Sequence, residues 1–180
     1  MAANQSTDPF AVLLDIEKRT RVNAAPLPSL DEVRRLWTGV GFLLNTQRYV
    51  VPLNEVAEIL HIPEVKKVPG VKNWFRGISN VRGTLLPVTD LSQFLGGEPI
   101  KTNKRSRVLV MNHDGVYSGV IVEEVLGLQH FEHEQRVKEL EVEKNVQSYV
   151  KGGFSRDGEN WTVFSLYELA KDAMFIQVAV

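Results

Sequence analysis

The densest group of chemically able side chains is His130-Phe131-Glu132-His133-Glu134. Two imidazoles three positions apart can share a metal ion when both lie on one helix face, with a carboxylate beside them. This stretch alternates like a strand instead, which turns positions i and i+3 to opposite faces, so it reads as a solvated polar edge. His61 and His113 stand alone in loop-like settings and read as surface imidazoles. Glu123-Glu124 and Glu139, Glu141 and Glu143 suggest acid–base work, but paired carboxylates need one desolvated partner to split their pKa values. With Lys138 and Lys144 interspersed, they read as a charge-mixed exposed face. Lys101, Lys104, Arg105 and Arg107 are the best hint of nucleic acid, yet no aromatic residues sit among them to stack bases. Trp37, Trp74 and Trp161 are widely separated, which suits core or interface anchoring better than a binding cage. The sequence contains no phosphate-binding Gly-x-x-x-x-Gly-Lys-Ser/Thr loop, no Gly-x-Gly-x-x-Gly, no His-Glu-x-x-His and no Gly-x-Ser-x-Gly. It also lacks cysteine, which removes thiolate nucleophiles, Fe–S clusters and Cys-ligated zinc.

One segment uses residues that packing alone does not explain: Val68-Pro69-Gly70-Val71-Lys72-Asn73-Trp74-Phe75-Arg76-Gly77-Ile78-Ser79-Asn80-Val81-Arg82-Gly83. Gly77 and Gly83 bracket a strand and imply tight turning or close backbone approach. Asn80 can hydrogen-bond within its own turn. Arg82 sits at the strand's end, where its planar guanidinium suits bridging carbonyls or a partner's carboxylate. A turn Arg that staples only local carbonyls explains the same residue equally well.

Those residues need elements to hold them. The 180-residue chain has 21 basic and 22 acidic side chains, a net charge of -1 that argues against a dedicated nucleic-acid binder. A chain this long buries enough surface to fold without disulfide or metal. The N-terminus carries no secretory signal, and no apolar run approaches the roughly 18 residues that span a bilayer. The sequons at Asn4 and Asn160 read as chance, and the expected address is cytoplasmic. Thr7-Asp8-Pro9 opens a helix carrying Phe10, Leu13 and Leu14 at helical spacing. The capping box Ser29-Leu30-Asp31-Glu32 predicts a second, short helix ending near Trp37. Residues 1–38 therefore form a helical extension too small to fold alone.

From Gly39 the pattern changes to short strands. Hairpins are expected around Asn45-Thr46-Gln47, Arg82-Gly83, Asp114-Gly115 and Asp157-Gly158. Short helices should follow at Asp90–Gly96, closed by glycine, and after Ser165, with Leu166, Leu169 and Ala170 on one face. The halves echo each other: Leu53-Asn54-Glu55-Val56 recurs as Val122-Glu123-Glu124-Val125, and Leu86–Leu91 recurs as Phe164–Leu169. This predicts two related small barrels in one mainly β chain.

The same residues carry a family resemblance. Val56-Ala57-Glu58-Ile59, Pro69, Gly77-Ile78-Ser79-Asn80-Val81-Arg82-Gly83, Leu86–Leu91 and Gly119–Val125, in that order, resemble the CheW family of chemotaxis coupling proteins. The resemblance implies two intertwined SH3-like five-stranded β-barrels spanning 39–178, the first roughly 40–97 and the second roughly 104–178, with strand exchange between them. It implies a non-catalytic adaptor with no cofactor and no small-molecule substrate. Its partners would be a methyl-accepting chemoreceptor's cytoplasmic tip and the regulatory domain of a CheA-type histidine kinase. Membrane association would be indirect, through receptor arrays. Partner-binding roles transfer to Val56, Glu58, Gly77, Arg82 and Gly119, with Asn80 and Gly83 of the same turn. The N-terminal arm and Trp37-Thr38-Gly39-Val40-Gly41-Phe42 look like the branch serving type IV pili and twitching motility. A flagellar coupling protein is the alternative. A small-barrel nucleic-acid binder, betrayed by a salt-sensitive gel shift, and a metal enzyme built on His130 and His133 are more distant ones.

Overall fold

The computed structural model describes residues 9–23, 36–137 and 140–180. Helix α1, Pro9–Asn23, lies in one compact unit, and every strand lies in a second, residues 35–180. In α1, Asp15–Arg19 and Glu17–Arg21 are exposed i,i+4 ion pairs of the kind that supports an isolated helix. The predicted second helix falls largely outside the described residues. Its expected end at Trp37 is corrected, because Leu36 and Trp37 already belong to strand β1, Leu36–Leu44. The reason is tertiary. Trp37 pairs across strands with Phe131 and packs 4.9 Å from the ring of Phe154, and this burial outweighs local helix signals.

The strands that follow are β2 (Gln47–Pro52), β3 (Glu58–His61), β4 (Phe75–Val81), β5 (Thr84–Asp90), β6 (Arg107–His113), β7 (Val116–Val122), β8 (Glu124–Glu132), β9 (Arg136–Val137), β10 (Val150–Arg156) and β11 (Glu159–Phe164). Short helices are α2 (Leu91–Phe94), α3 (Lys144–Gln147), α4 (Leu166–Lys171) and α5 (Ala173–Ile176). All four predicted hairpins are present. Each turns on two central residues with positive φ: Asn45-Thr46, Arg82-Gly83, Asp114-Gly115 and Asp157-Gly158. That backbone matches the twist of tight hairpins. Asp90 and Ser165 cap α2 and α4, accepting from the N–H groups of Gln93 and Glu168.

The strands form two curled sheets, ordered β8-β1-β2-β11-β10-β9 and β3-β6-β7-β5-β4. Each holds hairpins from both halves of the sequence. Hairpin β1–β2 joins β10–β11 through a parallel contact of β2 with β11, and β6–β7 joins β4–β5 through a parallel contact of β7 with β5. The two-residue β9 makes the first sheet six-stranded where five strands were expected. Val50 pairs with Val163 as Gly119 pairs with Val88, which makes the two sheets copies of one plan. On that alignment Leu53–Val56 does match Val122–Val125. The second echo slips by three residues: Asp90 corresponds to Ser165, since both cap the helix leaving the paired strand. Leu91 meets a leucine in either register, Leu166 or Leu169, and only the parallel pairing separates them.

A large core gathers Phe42, Leu86, Val108, Leu109, Ile121, Phe164 and Leu166. A smaller, aromatic one holds Phe131, Phe154 and Trp161 inside the six-stranded sheet. Strand β1 serves both, sending Val40, Phe42 and Leu44 into the large core. On its other face Gly39 and Gly41 leave room for the rings of Trp37 and Trp161.

Candidate functional site

Sheet β3-β6-β7-β5-β4 has β3 and β4 as its edges, and the sheet's curl brings their ends together. Arg82, in the β4–β5 turn, reaches across to β3, where its Nη2 lies 2.7 Å from Glu58 Oε1. Within the chain Arg82 thus meets a carboxylate of its own, beside the anticipated alternatives of local carbonyls or a partner's carboxylate. The turn is fixed from within: the Gly83 N–H donates to Asn80 Oδ1 at 2.8 Å. Arg82 holds φ +52, a left-handed conformation that a non-glycine residue adopts at a cost of about 1 kcal/mol. Its side chain is 78% exposed, so an ion pair here is worth roughly 0–1 kcal/mol to the fold. The turn thus presents a fixed, exposed charge that adds little to stability.

Four other expected residues sort by place. Val56 precedes β3 and is partly buried against the large core. Gly77 lies in β4 with φ +132, beneath the strand-like segment 62–72, and a Cβ there would run into the carbonyl oxygen of Lys66. Gly83 completes the turn at φ +87 with open space around it. Gly119 is not part of this end. It is buried in β7, where a Cβ would press on Val108 and Leu86. Asn80, Arg82, Gly83 and Glu58 therefore form one cluster, Val56 and Gly77 support it, and Gly119 belongs to the core. Beside the cluster lie exposed Leu85 and a hollow of about 480 Å³ lined by Pro63, Lys66, Lys67, Val68, Ile78 and Leu85. Apolar ground next to a fixed charge is the make-up of a docking anchor.

Among the described residues no three metal-ligating side chains come together. His130 Nδ1 lies 2.9 Å from Thr38 Oγ1, and His133 sits in a separate helical turn after β8. Arg105 pairs with Glu124, and Arg107 donates to the carbonyls of Lys104 and Ser106, so half of the basic stretch is spent locally. Lys138 and Glu139 lie outside the described residues. Groups with displaced titration sit elsewhere. Burial pushes the Tyr149 phenol up, aided by its hydrogen bond to Asp172, and burial does the same to Tyr49, aided by Glu143. Hydrogen bonds from Lys151 and Lys171 draw the Glu168 carboxyl down.

Residues 38–174 match the CheW-like domain. The chain belongs to the CheW-like family. It is 43% identical to Protein PilI of Pseudomonas aeruginosa over 173 residues, 96% of this chain and 97% of that one. Protein FrzA of Myxococcus xanthus is 31% identical over 88 residues, 49% of this chain and 55% of FrzA. Chemotaxis protein CheW of Helicobacter pylori is 29% identical over 84 residues, 47% of this chain and 51% of that one. The crystal structure of scaffolding protein TtCheW from Thermoanaerobacter tengcongensis superposes with a TM-score of 0.64, covering 71% of this chain and 88% of that one, at 23% identity, which establishes a shared fold.

Two features of this CheW-like chain escaped sequence reasoning. Arg156, at the end of β10, makes a similar bridge in the six-stranded sheet, from the position just before its turn, whereas Arg82 lies within its own. Its Nη2 lies 2.7 Å from Gln129 Oε1 on β8, and its guanidinium lies 4.9 Å from the ring centre of Phe131 and 5.4 Å from that of Trp161. An arginine within the turn Arg82-Gly83 and another next to Asp157-Gly158 was the available signal. The other is Glu55, buried at 8% exposure, whose carboxylate accepts from Ser165 Oγ and the Tyr167 N–H and so ties the turn after β2 to the start of α4.

Proposed function

We propose that the chain is a non-catalytic adaptor that couples the cytoplasmic tip of a methyl-accepting chemoreceptor to the regulatory domain of a CheA-type histidine kinase. Residues 39–178 are its working body, with two barrels that exchange strands. Its address is cytoplasmic, recruited to receptor arrays at the membrane through the receptor. Partner contacts fall on Glu58, Asn80, Arg82 and Gly83, supported by Val56 and Gly77. Gly119 keeps the central strand of their sheet closely packed on Val108 and Leu86.

The observation that carries this reading is the Glu58–Arg82 pair, exposed on a strained turn beside apolar Leu85. Type IV pilus control is the output this reading assigns. Its support is the match to PilI along 96% of the chain, N-terminal arm included, where Chemotaxis protein CheW of Helicobacter pylori matches 47%. The test is co-purification of the full chain, and of a chain lacking residues 1–34, with receptor-tip and kinase regulatory-domain fragments. Retention of both fragments by the full chain is expected. Failure to retain either one overturns the coupling role.

A further inference from the structure

The segment that lies over Gly77 is held at two places. Near its middle, the Lys66 N–H donates to the Ile78 carbonyl at 2.8 Å, and the Ile78 N–H returns to the Lys66 carbonyl at 2.9 Å. Farther along, the Lys72 N–H donates to the Val178 carbonyl at 2.9 Å, and the Val180 N–H donates to the Gly70 carbonyl at 3.2 Å, around a Val71–Ala179 bridge. Just before that second tie, Phe175 is buried at 4% exposure. Its ring stacks on Trp74 at 6.3 Å and 4°, and Phe94 stands edge-on to both, at 5.1 Å from Trp74 and 5.4 Å from Phe175. Asp172 starts this turn by accepting from the Met174 N–H at 2.7 Å, and is itself bonded by the Tyr149 hydroxyl. Residues 175–180 all lie past the stretch that matches the CheW-like domain.

Between its two ties, segment 62–72 spans an open hollow of about 490 Å³ lined by Ile62, Val65, Val68, Val71 and Phe75. Ile62 and Val65 rest its start on the large core, but Val68 and Val71, farther along, do not pack there, so that stretch depends on its ties. A segment with few buried contacts and few backbone bonds opens at low free energy unless something outside it supplies more. Here that support comes from a three-ring plug and a two-bond strand.

We propose that residues 175–180 are a clasp: Phe175 and the Val178–Val180 backbone position segment 62–72 against β4 and thereby set the docking end that carries Asn80, Leu85 and Arg82. They are positioning residues, acting through the segment they hold. The docking part rests on the adaptor reading above; the clasp itself does not.

The test uses the full chain in four forms: a chain ending after Ile176, Val180→Pro, which removes one donor and leaves the plug, Phe175→Ala, and Phe175→Leu as the conservative rescue. Met174→Ser, at a 63% exposed position, is the control. Amide hydrogen exchange is followed at Lys66 and Ile78, whose own bonds no variant touches. Ending the chain after Ile176 or Phe175→Ala should speed exchange there about tenfold or more, with smaller increases for Val180→Pro and Phe175→Leu. Binding of the receptor-tip and kinase fragments, measured well below each variant's melting temperature, should weaken about three- to tenfold in the same order. Unchanged exchange at Lys66 and Ile78 overturns the clasp, whatever the fragments do. Faster exchange with binding unchanged overturns its role in docking. If the truncated chain does not fold, Val180→Pro and Phe175→Leu decide the matter alone. If the unmodified chain binds neither fragment, the adaptor reading fails, while the exchange data still judge the clasp.

Discussion

Arg82 and Gly119 were singled out together by the resemblance, and the structure gives them opposite surroundings. Arg82 contributes little to stability, since its ion pair is exposed and its backbone is strained. Replacement with alanine should therefore leave the melting temperature within a few degrees, and Arg82→Gly should even relax the turn, while both weaken partner binding about tenfold or more. An Arg82→Gly protein that unfolds would make the bridge structural. Gly119→Val should do the reverse. The added methyls meet Val108 and Leu86, and overpacking of this kind costs about 1–3 kcal/mol. Urea denaturation should register that loss, and any loss of binding should follow unfolding. At this scale the sequence revealed which residues were unusual but not which face they served, because a glycine wanted for a turn and one wanted for space are spelled alike.

Among elements, the hairpins were legible because their turns demand particular residues: Asp114-Gly115 and Asp157-Gly158 announce positive φ directly. The end of the predicted second helix was not legible, since local capping signals carry no word of the Phe131 and Phe154 rings that hold Trp37 in a strand. Nor was the tie between α3–β10 and the chain after α4, where the Tyr149 hydroxyl donates to Asp172. That tie gives the molecule an alkaline limit. Tyr149 and Tyr49 both hold their protons more tightly when folded, whereas the unfolded chain releases them near pH 10. Their contribution is thus fully present below about pH 10 and is lost as pH rises above it. Denaturation curves at pH 9 and pH 11 should show a fall in stability that Tyr149→Phe makes smaller. An undiminished fall in that variant would assign the alkaline limit to other groups.

For the whole molecule, the doubled plan was visible in the sequence as an echo, and its topology was not. Each sheet draws one hairpin from either half, and pairings such as Val50 with Val163 join residues more than a hundred positions apart, which no local pattern encodes. The exchange makes the two sheets one body with a large shared core, so a partner gripping one sheet is held at a fixed distance and angle from a partner gripping the other. Rigid linkage of that kind lets modest contacts add up in an array. On the proposed reading this body engages two proteins at once. Sedimentation velocity of the chain mixed with the receptor-tip and kinase regulatory-domain fragments tests it most directly. A single faster species containing all three is expected, reduced by Arg82→Ala. Two binary species that exclude each other, with no ternary complex at any concentration, would contradict it.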